Sequence, residues 1–241
     1  MEVFLIHLES VDSTNTYAKK HLAEFPKEKL ICISAEEQTR GRGRFDRSWH
    51  SPRGQNLYAT FVFRLASTKQ LGCLTQIMAL SLAQVLIRED LHPKIKWPND
   101  LLLNDKKVSG ILSETEIQKQ EVAVFLGIGI NVNMDASHCA KIDKPATSLL
   151  AETGRNWDRD ALLKKLTKQF LSDLETFKKK GFEPFHHPFE NLMAHKGQQV
   201  RCFDGKKEWV GICHSITSDG LLNLCLEDHS IHTLAAGDLF L

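Results

Sequence analysis

Residues 40 to 53 read Arg-Gly-Arg-Gly-Arg-Phe-Asp-Arg-Ser-Trp-His-Ser-Pro-Arg. Five arginines, Arg40, Arg42, Arg44, Arg47 and Arg53, share this stretch with Gly41 and Gly43. Glycine lets consecutive N–H groups turn toward one point, which suits an anion. Guanidinium groups add bidentate hydrogen bonds to phosphate or carboxylate oxygens. Trp49 offers a flat face able to stack on a base. The chemistry implied is the holding of a small anionic ligand such as a nucleotide. A solvated basic turn is the alternative reading of such a charge run.

Four further blocks combine polar groups with strand-like surroundings. Ser13-Thr14-Asn15 offers small hydroxyls and an amide at a helix start, where simple capping is the competing account. Lys96-Trp97-Pro98-Asn99-Asp100 presents an amide and a carboxylate between two apolar runs. Lys107 followed by Gly110 can bring an ammonium close to a ligand lying on the backbone; an ordinary edge-strand lysine reads the same. Gly127-Ile-Gly-Ile-Asn131-Val-Asn133 reads as strand, with Asn131 and Asn133 on one face by the period of two. Glycine inside a strand marks close approach of a ligand or a second backbone.

The elements that must position these residues follow from patterning. Val3–Leu8 reads as a first strand, followed by a helix toward Leu22 capped by Asp12 or Ser13. Leu30–Ala35 is a short buried strand ending at the Arg-rich loop, and Asn56–Phe63 is another strand. Leu71–Arg88 carries a helical apolar stripe. Ile95–Trp97, Leu101–Leu103 and Lys107–Thr115 read as strands, with a turn at Asn104-Asp-Lys106. Val122–Val132 follows, then a long helix capped by Asp158 and running to Lys180. After a Pro- and His-containing stretch at 184 to 188 come short strand-like runs at Gln199–Phe203, Trp209–His214, Leu221–Leu226 and Ser230–Leu234, a pattern of a small β-barrel. The fold class is α+β: a mixed β-sheet with helices packed on it, then a small β-barrel. A domain boundary is expected near residue 190.

Composition narrows the class. Lys+Arg number 31 against 30 Asp+Glu, a formal net charge of +1, less basic than a dedicated nucleic-acid domain. Neither a membrane-length apolar run nor a secretory pattern is present, so a soluble cytoplasmic protein is expected. The six cysteines form no C-x-x-C pair, so no metal site is expected. The sequence has no Walker-type phosphate loop.

In order and combination the blocks resemble the biotin protein ligases over nearly the whole chain, a resemblance that implies a biotin- and ATP-binding catalytic domain over residues 1–190 and a small SH3-like β-barrel over 191–241. The resemblance runs through Asp12-Ser-Thr-Asn15, Gln38 with Gly41-Arg-Gly-Arg44 and Arg47, Ser51-Pro52 with Asn56-Leu-Tyr58, Lys96-Trp-Pro-Asn-Asp100, Lys107 with Gly110-Ile111-Leu112, and Gly127-Ile-Gly-Ile-Asn131. It implies a two-step reaction in which biotin and ATP give biotinyl-5′-AMP and pyrophosphate, and a carrier lysine then takes the biotinyl group and releases AMP. On that resemblance Ser13, Thr14, Asn15 and Gln38 bind biotin, with the backbone of Gly41, Arg42, Gly43 and Arg44, and Gly110, along the ligand. Arg42, Arg44 and Arg47 close over the adenylate and hold phosphates. Lys107 bridges biotin's carboxylate and the α-phosphate. Trp49, Asn99 and Asn131 lie at the nucleotide, and Asp100 receives or orients the proton of the incoming amine. Mg²⁺ accompanies ATP. The implied partner is the biotin carboxyl carrier protein of acetyl-CoA carboxylase, with no nucleic acid and no membrane, and a homodimer through sheet edges is expected as well. Because the catalytic pattern starts within ten residues of Met1, a monofunctional ligase without a DNA-binding domain is expected. Asp46, where many members carry Gly, and Ser109 depart from the family's pattern. The Arg-rich loop is expected to order over the adenylate and shield it from water. Two competing readings are a lipoate or octanoate ligase or transferase of related fold, and a non-catalytic adenylate- or nucleic-acid-binding module tolerant of change at Lys107.

Overall fold

The computed structural model describes residues 1–45, 47–66, 70–118 and 121–241. Asp46 therefore lies outside the described residues. β1 (Val3–Leu8) and β2 (Leu30–Ala35) pair in parallel, with α1 (Thr14–Lys20) crossing between them. The helix stops at Lys20, short of the expected Leu22, and a single 3-10 turn at Leu22–Glu24 follows. β3 (Leu57–Leu65) pairs antiparallel with β2. Then come α2 (Cys73–Ile87), β4 (Lys94–Lys96), β5 (Asp100–Leu103), β6 (Lys106–Gln118) and β7 (Glu121–Ile130). The seven strands lie in the order β1-β2-β3-β7-β6-β5-β4. The β5–β6 turn is tight because Asn104 and Asp105 both take positive φ, 46° and 60°, as a two-residue hairpin with the sheet's twist requires.

α3 (Ala136–Cys139), α4 (Leu149–Thr153), α5 (Arg159–Lys180) and α6 (Glu183–Leu192) follow β7. Asp158 caps α5 as expected, its carboxylate accepting from Ala161 N at 3.0 Å. α2, α5 and α6 cover one face of the sheet. Their core includes Phe61, Phe63 and Leu126 from the strands, Leu74 and Leu82 from α2, and Phe170 and Phe189 from the later helices. Phe170 stands 5.2 Å from Phe61 and 5.8 Å from Phe63, ring centre to ring centre. α2 is buried on nearly every side, so its sequence is apolar well beyond one stripe.

The other face is only half covered. Ala18, Leu22 and Phe25 pack on Ile31, Ile33, Val62 and Phe125. Further along the same strands, this face presents Tyr58 and Thr60 of β3, Gly129 and Gly127 of β7, and Gly110 and Leu112 of β6, in directly opposed pairs. Three glycines side by side leave a floor without side chains beside the α1 core.

The Pro- and His-containing stretch at 184 to 188, to which the sequence pattern assigns no element, lies inside α6. Pro184 occupies the first turn, where its missing N–H costs nothing, and Phe185 and Phe189 recur at i,i+4 to anchor the helix. The last five strands are β8 (Gln199–Phe203), β9 (Glu208–Ile216), β10 (Leu222–Cys225), β11 (Ile231–Leu234) and β12 (Asp238–Phe240), the last unforeseen. They form an antiparallel sheet in the order β11-β10-β9-β8-β12. Among the described residues β11 and β12 do not pair, so the expected small barrel is not closed. β12 is only three residues long, and Gly237 and Asp238 at its start meet the Arg-rich loop instead. The small sheet docks through its β9–β10 turn, where Gly220 O accepts from Trp97 Nε1 at 2.9 Å and Gln76 Nε2 at 2.7 Å.

Candidate active site

A cleft of about 1110 Å³ opens over the glycine floor. That is slightly above the usual range for ligand and cofactor sites, about 300–1,000 Å³. It is lined by Ser13, Thr14, Asn15, Gln38, Arg42, Gly43, Arg44, Arg47, Trp49, Asn99, Asp100, Lys107, Gly110 and Asn131, which spread over 119 positions of sequence. Of the residues expected to bind ligand, Gly41 alone is not in the lining. It sits behind the loop, where a Cβ would come within 2.6 Å of both Ser51 Oγ and Trp49 O.

The start of α1 supplies one end. Capping was one account of Ser13, but neither its side chain nor that of Asp12 caps the helix; Asp12 accepts from Ser13 N at 2.6 Å instead. Gln38 Oε1 accepts from Thr14 N at 2.9 Å and Thr14 Oγ1 at 3.2 Å, and Gln38 Nε2 donates to Ser51 at 3.1 Å. Thr60 hydroxyl lies 2.8 Å from Thr14 Oγ1 and 2.6 Å from Asn15 Oδ1. Asn15 Nδ2 donates to Glu114 Oε2 at 2.8 Å. The side chains thus hold one another in a polar network able to orient a neutral, hydrogen-bonding group. Asn15 also rests on Gly127, where a Cβ would come within 2.5 Å of Asn15 Oδ1.

The Arg-rich loop is a narrow hairpin. Trp49 N donates to Gly41 O at 2.8 Å and Gly43 N to Arg47 O at 2.7 Å. Gly43 N–H is thus spent inside the loop rather than turned toward a ligand, a departure from the anion-nest reading. The guanidinium groups reach the cleft, each with an acidic partner. Arg42 Nη2 pairs with Glu114 Oε2 at 2.8 Å. Arg47 pairs with Asp238. Arg44 Nη1 donates to Asn99 Oδ1 at 3.2 Å and Gly237 O at 3.1 Å, with Asp238 Oδ1 at 3.7 Å. Burial pulls the Arg44 guanidinium below its ordinary value, while Asp238 and Asp100 act the other way.

At the middle of the cleft Lys107 Nζ lies 2.6 Å from Asp100 Oδ1 and 5.3 Å from the centre of the Trp49 ring. Trp49 lies on Gly129 so closely that a Cβ there would overlap the indole. Its Nε1 is buried with no hydrogen-bond partner among the described residues. Asn131 and Asn133 do not share a strand face, because β7 ends at Ile130. Asn131 Nδ2 donates to Thr147 O at 2.9 Å, and Asn133 exchanges hydrogen bonds with the backbone of Trp157.

Some cleft residues had no role assigned from sequence, among them Lys96 of the Lys96–Asp100 block. Lys96 lines the cleft, and burial pulls its ammonium below the ordinary value, with Asp100 opposing. Thr60 and Glu114 lie beneath it. Glu114 was legible as the second alternate residue after Gly110 on β6, on the same face. Asp238 carried no signal, being a lone acid in a three-residue strand.

The family model described as the biotin/lipoate A/B protein ligase family matches residues 7–131. The bifunctional ligase/repressor BirA of Escherichia coli is 33% identical over 97% of the chain, which spans 73% of that relative. The biotin–[acetyl-CoA-carboxylase] ligase of Paracoccus denitrificans is 32% identical, with 90% of this chain and 92% of that one covered. Among solved structures, the biotin protein ligase from Aquifex aeolicus in complex with biotin and ATP superposes with a TM-score of 0.81 at 32% identity, covering 98% and 97% of the two chains.

Proposed function

The chain belongs to the biotin/lipoate A/B protein ligase family, and we infer that its cleft works on biotin and ATP. The protein is an ATP-dependent biotin protein ligase. It forms biotinyl-5′-AMP from biotin and ATP, then transfers the biotinyl group to the ε-amine of a lysine on a biotin carboxyl carrier protein. The observation that carries the assignment of roles is Lys107 beside Asp100, between a polar network at one end of the cleft and arginines at the other.

In our reading the first step joins two anions. A biotin carboxylate oxygen bonds to the α-phosphorus, the bond from that phosphorus to the bridging oxygen breaks, and pyrophosphate leaves. Lys107, Arg44 and Arg47 offset the repulsion and the charge that develops. Ser13, Thr14, Asn15 and Gln38 hold the ureido ring, with Gly110 and the loop from Gly41 to Arg44 along the ligand. Trp49, Asn99 and Asn131 serve the nucleotide. In the second step the carrier amine attacks the anhydride carbonyl and AMP leaves with the bonding pair. Asp100, on the strand facing Lys107, takes the amine's proton. Mg²⁺ arrives with the ATP phosphates as part of the substrate. Among the described residues no group of three His, Cys, Asp or Glu side chains is placed to hold a metal.

The acceptor we propose is the carrier subunit of acetyl-CoA carboxylase, in the cytoplasm, without nucleic acid or membrane. No helix among the described residues is long and apolar enough to cross a membrane. Pairing through a sheet edge belongs to the same proposal, and β1, an edge strand, exposes Phe4 and Leu5. We treat residues 1–190 as the biotin- and ATP-binding part and 191–241 as its small companion, the division falling in the last turn of α6.

The test is exchange of labelled pyrophosphate into ATP, with biotin, lipoate or octanoate as the acid. Exchange with biotin alone, abolished in Lys107→Ala, is the expected result. Exchange supported by lipoate or octanoate instead overturns the substrate, and exchange that survives Lys107→Ala overturns that residue's role.

A further inference from the structure

Glu114 is the best-connected carboxylate of the cleft floor. It stands on β6 opposite Phe125, where the α1 core gives way to the glycine floor. Its Oε1 takes Lys19 Nζ at 2.5 Å. Its Oε2 takes both Asn15 Nδ2 and Arg42 Nη2 at 2.8 Å. One carboxylate thereby joins three parts of the chain: the helix beside the polar network, the floor strand, and the Arg-rich loop that overhangs both.

The direction of Arg42 matters most. Glu114 lies two alternate positions beyond Gly110 on the cleft face of β6, on the side of Asn15 and away from Lys107 and Asp100. Arg42 therefore reaches to the Asn15 end. Arg44 and Arg47 reach the opposite way, to Asn99 and Asp238. The loop spans the cleft and is fastened on both sides by different acids.

We propose that Glu114 is a positioning residue that clasps Arg42 across the biotin end of the cleft, holding the loop down over biotin and Asn15 against Gly127. The clasp rests on the ligase reading for the identity of the ligand, but its geometry does not. Its Coulomb attraction is moderate because Arg42 is partly solvated. Its value lies in geometry: an arginine fixed between loop and floor closes the end of the chamber that neutral groups line. Losing the charge of Glu114 frees Arg42 and with it that wall. Asp238 continues to hold Arg44 and Arg47 at the other end.

The experiment measures KM for biotin and for ATP in pyrophosphate exchange, together with tryptic cleavage after Arg42 in the substrate-free protein. Glu114→Gln keeps an acceptor for Asn15 and loses the ion pair. A rise of about tenfold in biotin KM is expected, with ATP KM within about twofold and faster cleavage after Arg42. Lys19→Met shares Glu114 but leaves Arg42 clasped, so its biotin KM stays at the wild-type value. The double variant Glu114→Gln/Arg42→Gln matches Arg42→Gln, because Glu114 acts through Arg42 and has nothing left to add once the guanidinium is gone. Equal rises in both KM values, independent effects in the double variant, or a Lys19→Met protein as impaired as Glu114→Gln overturn the clasp. Should Glu114→Gln not fold, Glu114→Asp, which keeps the charge and shortens its reach to Arg42, decides: higher biotin KM with faster cleavage after Arg42 supports the clasp, and wild-type values of both overturn it. A wild-type protein without biotin-dependent exchange overturns the ligase reading instead, and the tryptic comparison then tests the clasp by itself.

Discussion

At Gly129 the sheet has no room for a methyl group, because the Trp49 indole rests on that backbone. Gly110 is nearly as tight, with a Cβ meeting Lys107 Nζ at 2.9 Å. The glycines inside β7 and β6 are thus fixed by what lies on them, since neither uses a left-handed backbone. Gly129→Ala should fold, since its backbone is ordinary extended strand, yet it must push Trp49 off the floor and so disturb the neighbour of Lys107. We expect kcat/KM for biotin-dependent exchange to fall about a hundredfold, the scale of an ångström-sized misplacement. Near-UV circular dichroism together with the exchange assay checks this, and wild-type exchange in a folded Gly129→Ala protein would sink the argument. From sequence, these glycines could be read as sites of close approach. What approaches could not be read, because Trp49 and Asn15 are eighty and 112 positions from the glycines they touch, Gly129 and Gly127.

Between elements, the packing of α2 on α5 contains one carboxylate, Asp173, which accepts from Ser81 Oγ at 2.6 Å and Gln169 Nε2 at 3.0 Å. Burial pushes this carboxyl above its ordinary value of 3.8, and the hydrogen bonds from Ser81 and Gln169 oppose that only in part. The folded state then holds the proton more tightly than the unfolded chain does. The stability so gained is complete below the unfolded value and is lost as pH rises through the raised folded value. Asp173→Asn keeps an acceptor for Ser81 and removes the buried charge. Its Tm should exceed that of wild type at pH 7, with the gain shrinking toward pH 4; thermal melts across that range decide, and a variant less stable at pH 7 contradicts the assignment. At this scale the chain was legible wherever one local signal sufficed. Leu30–Ala35 is apolar and buried on both faces, and Asp158 caps α5 through its own side chain. It was illegible where tertiary packing overruled local preference. Two prolines and two histidines hide α6, which Phe185 and Phe189 hold in place. β12 has no period to read in three residues. Asn131 and Asn133 alternate like strand residues but serve the chain beyond the strand's end, tying down Thr147 and Trp157.

For the whole molecule, the cleft is completed by a sheet that follows it in sequence. Trp97, beside the Asn99-Asp100 pair, anchors the β9–β10 turn through Gly220, and the same sheet returns Asp238 to Arg44 and Arg47. The core runs without a break from α2 and α6 into Val200, Cys202, Leu222 and Leu239 of the small sheet. A force that holds the small sheet in place therefore also sets the cations at the nucleotide end. None of this could be read from the loop, since its partner acid lies about 190 residues away. Asp238→Asn removes the charge that faces both guanidinium groups and leaves the Arg44 hydrogen bonds to Asn99 and Gly237 in place. The arginines lose orientation rather than position. We expect ATP KM in the exchange reaction to rise several-fold, on the order of the tenfold that about 1.4 kcal/mol represents. Biotin KM should hold, because the Arg42 side of the loop keeps Glu114. Steady-state exchange at varied ATP and varied biotin separates the two effects. If Asp238→Asn leaves ATP KM at the wild-type value, the small sheet does not set the cations at the nucleotide end, and its contact with the loop is packing alone.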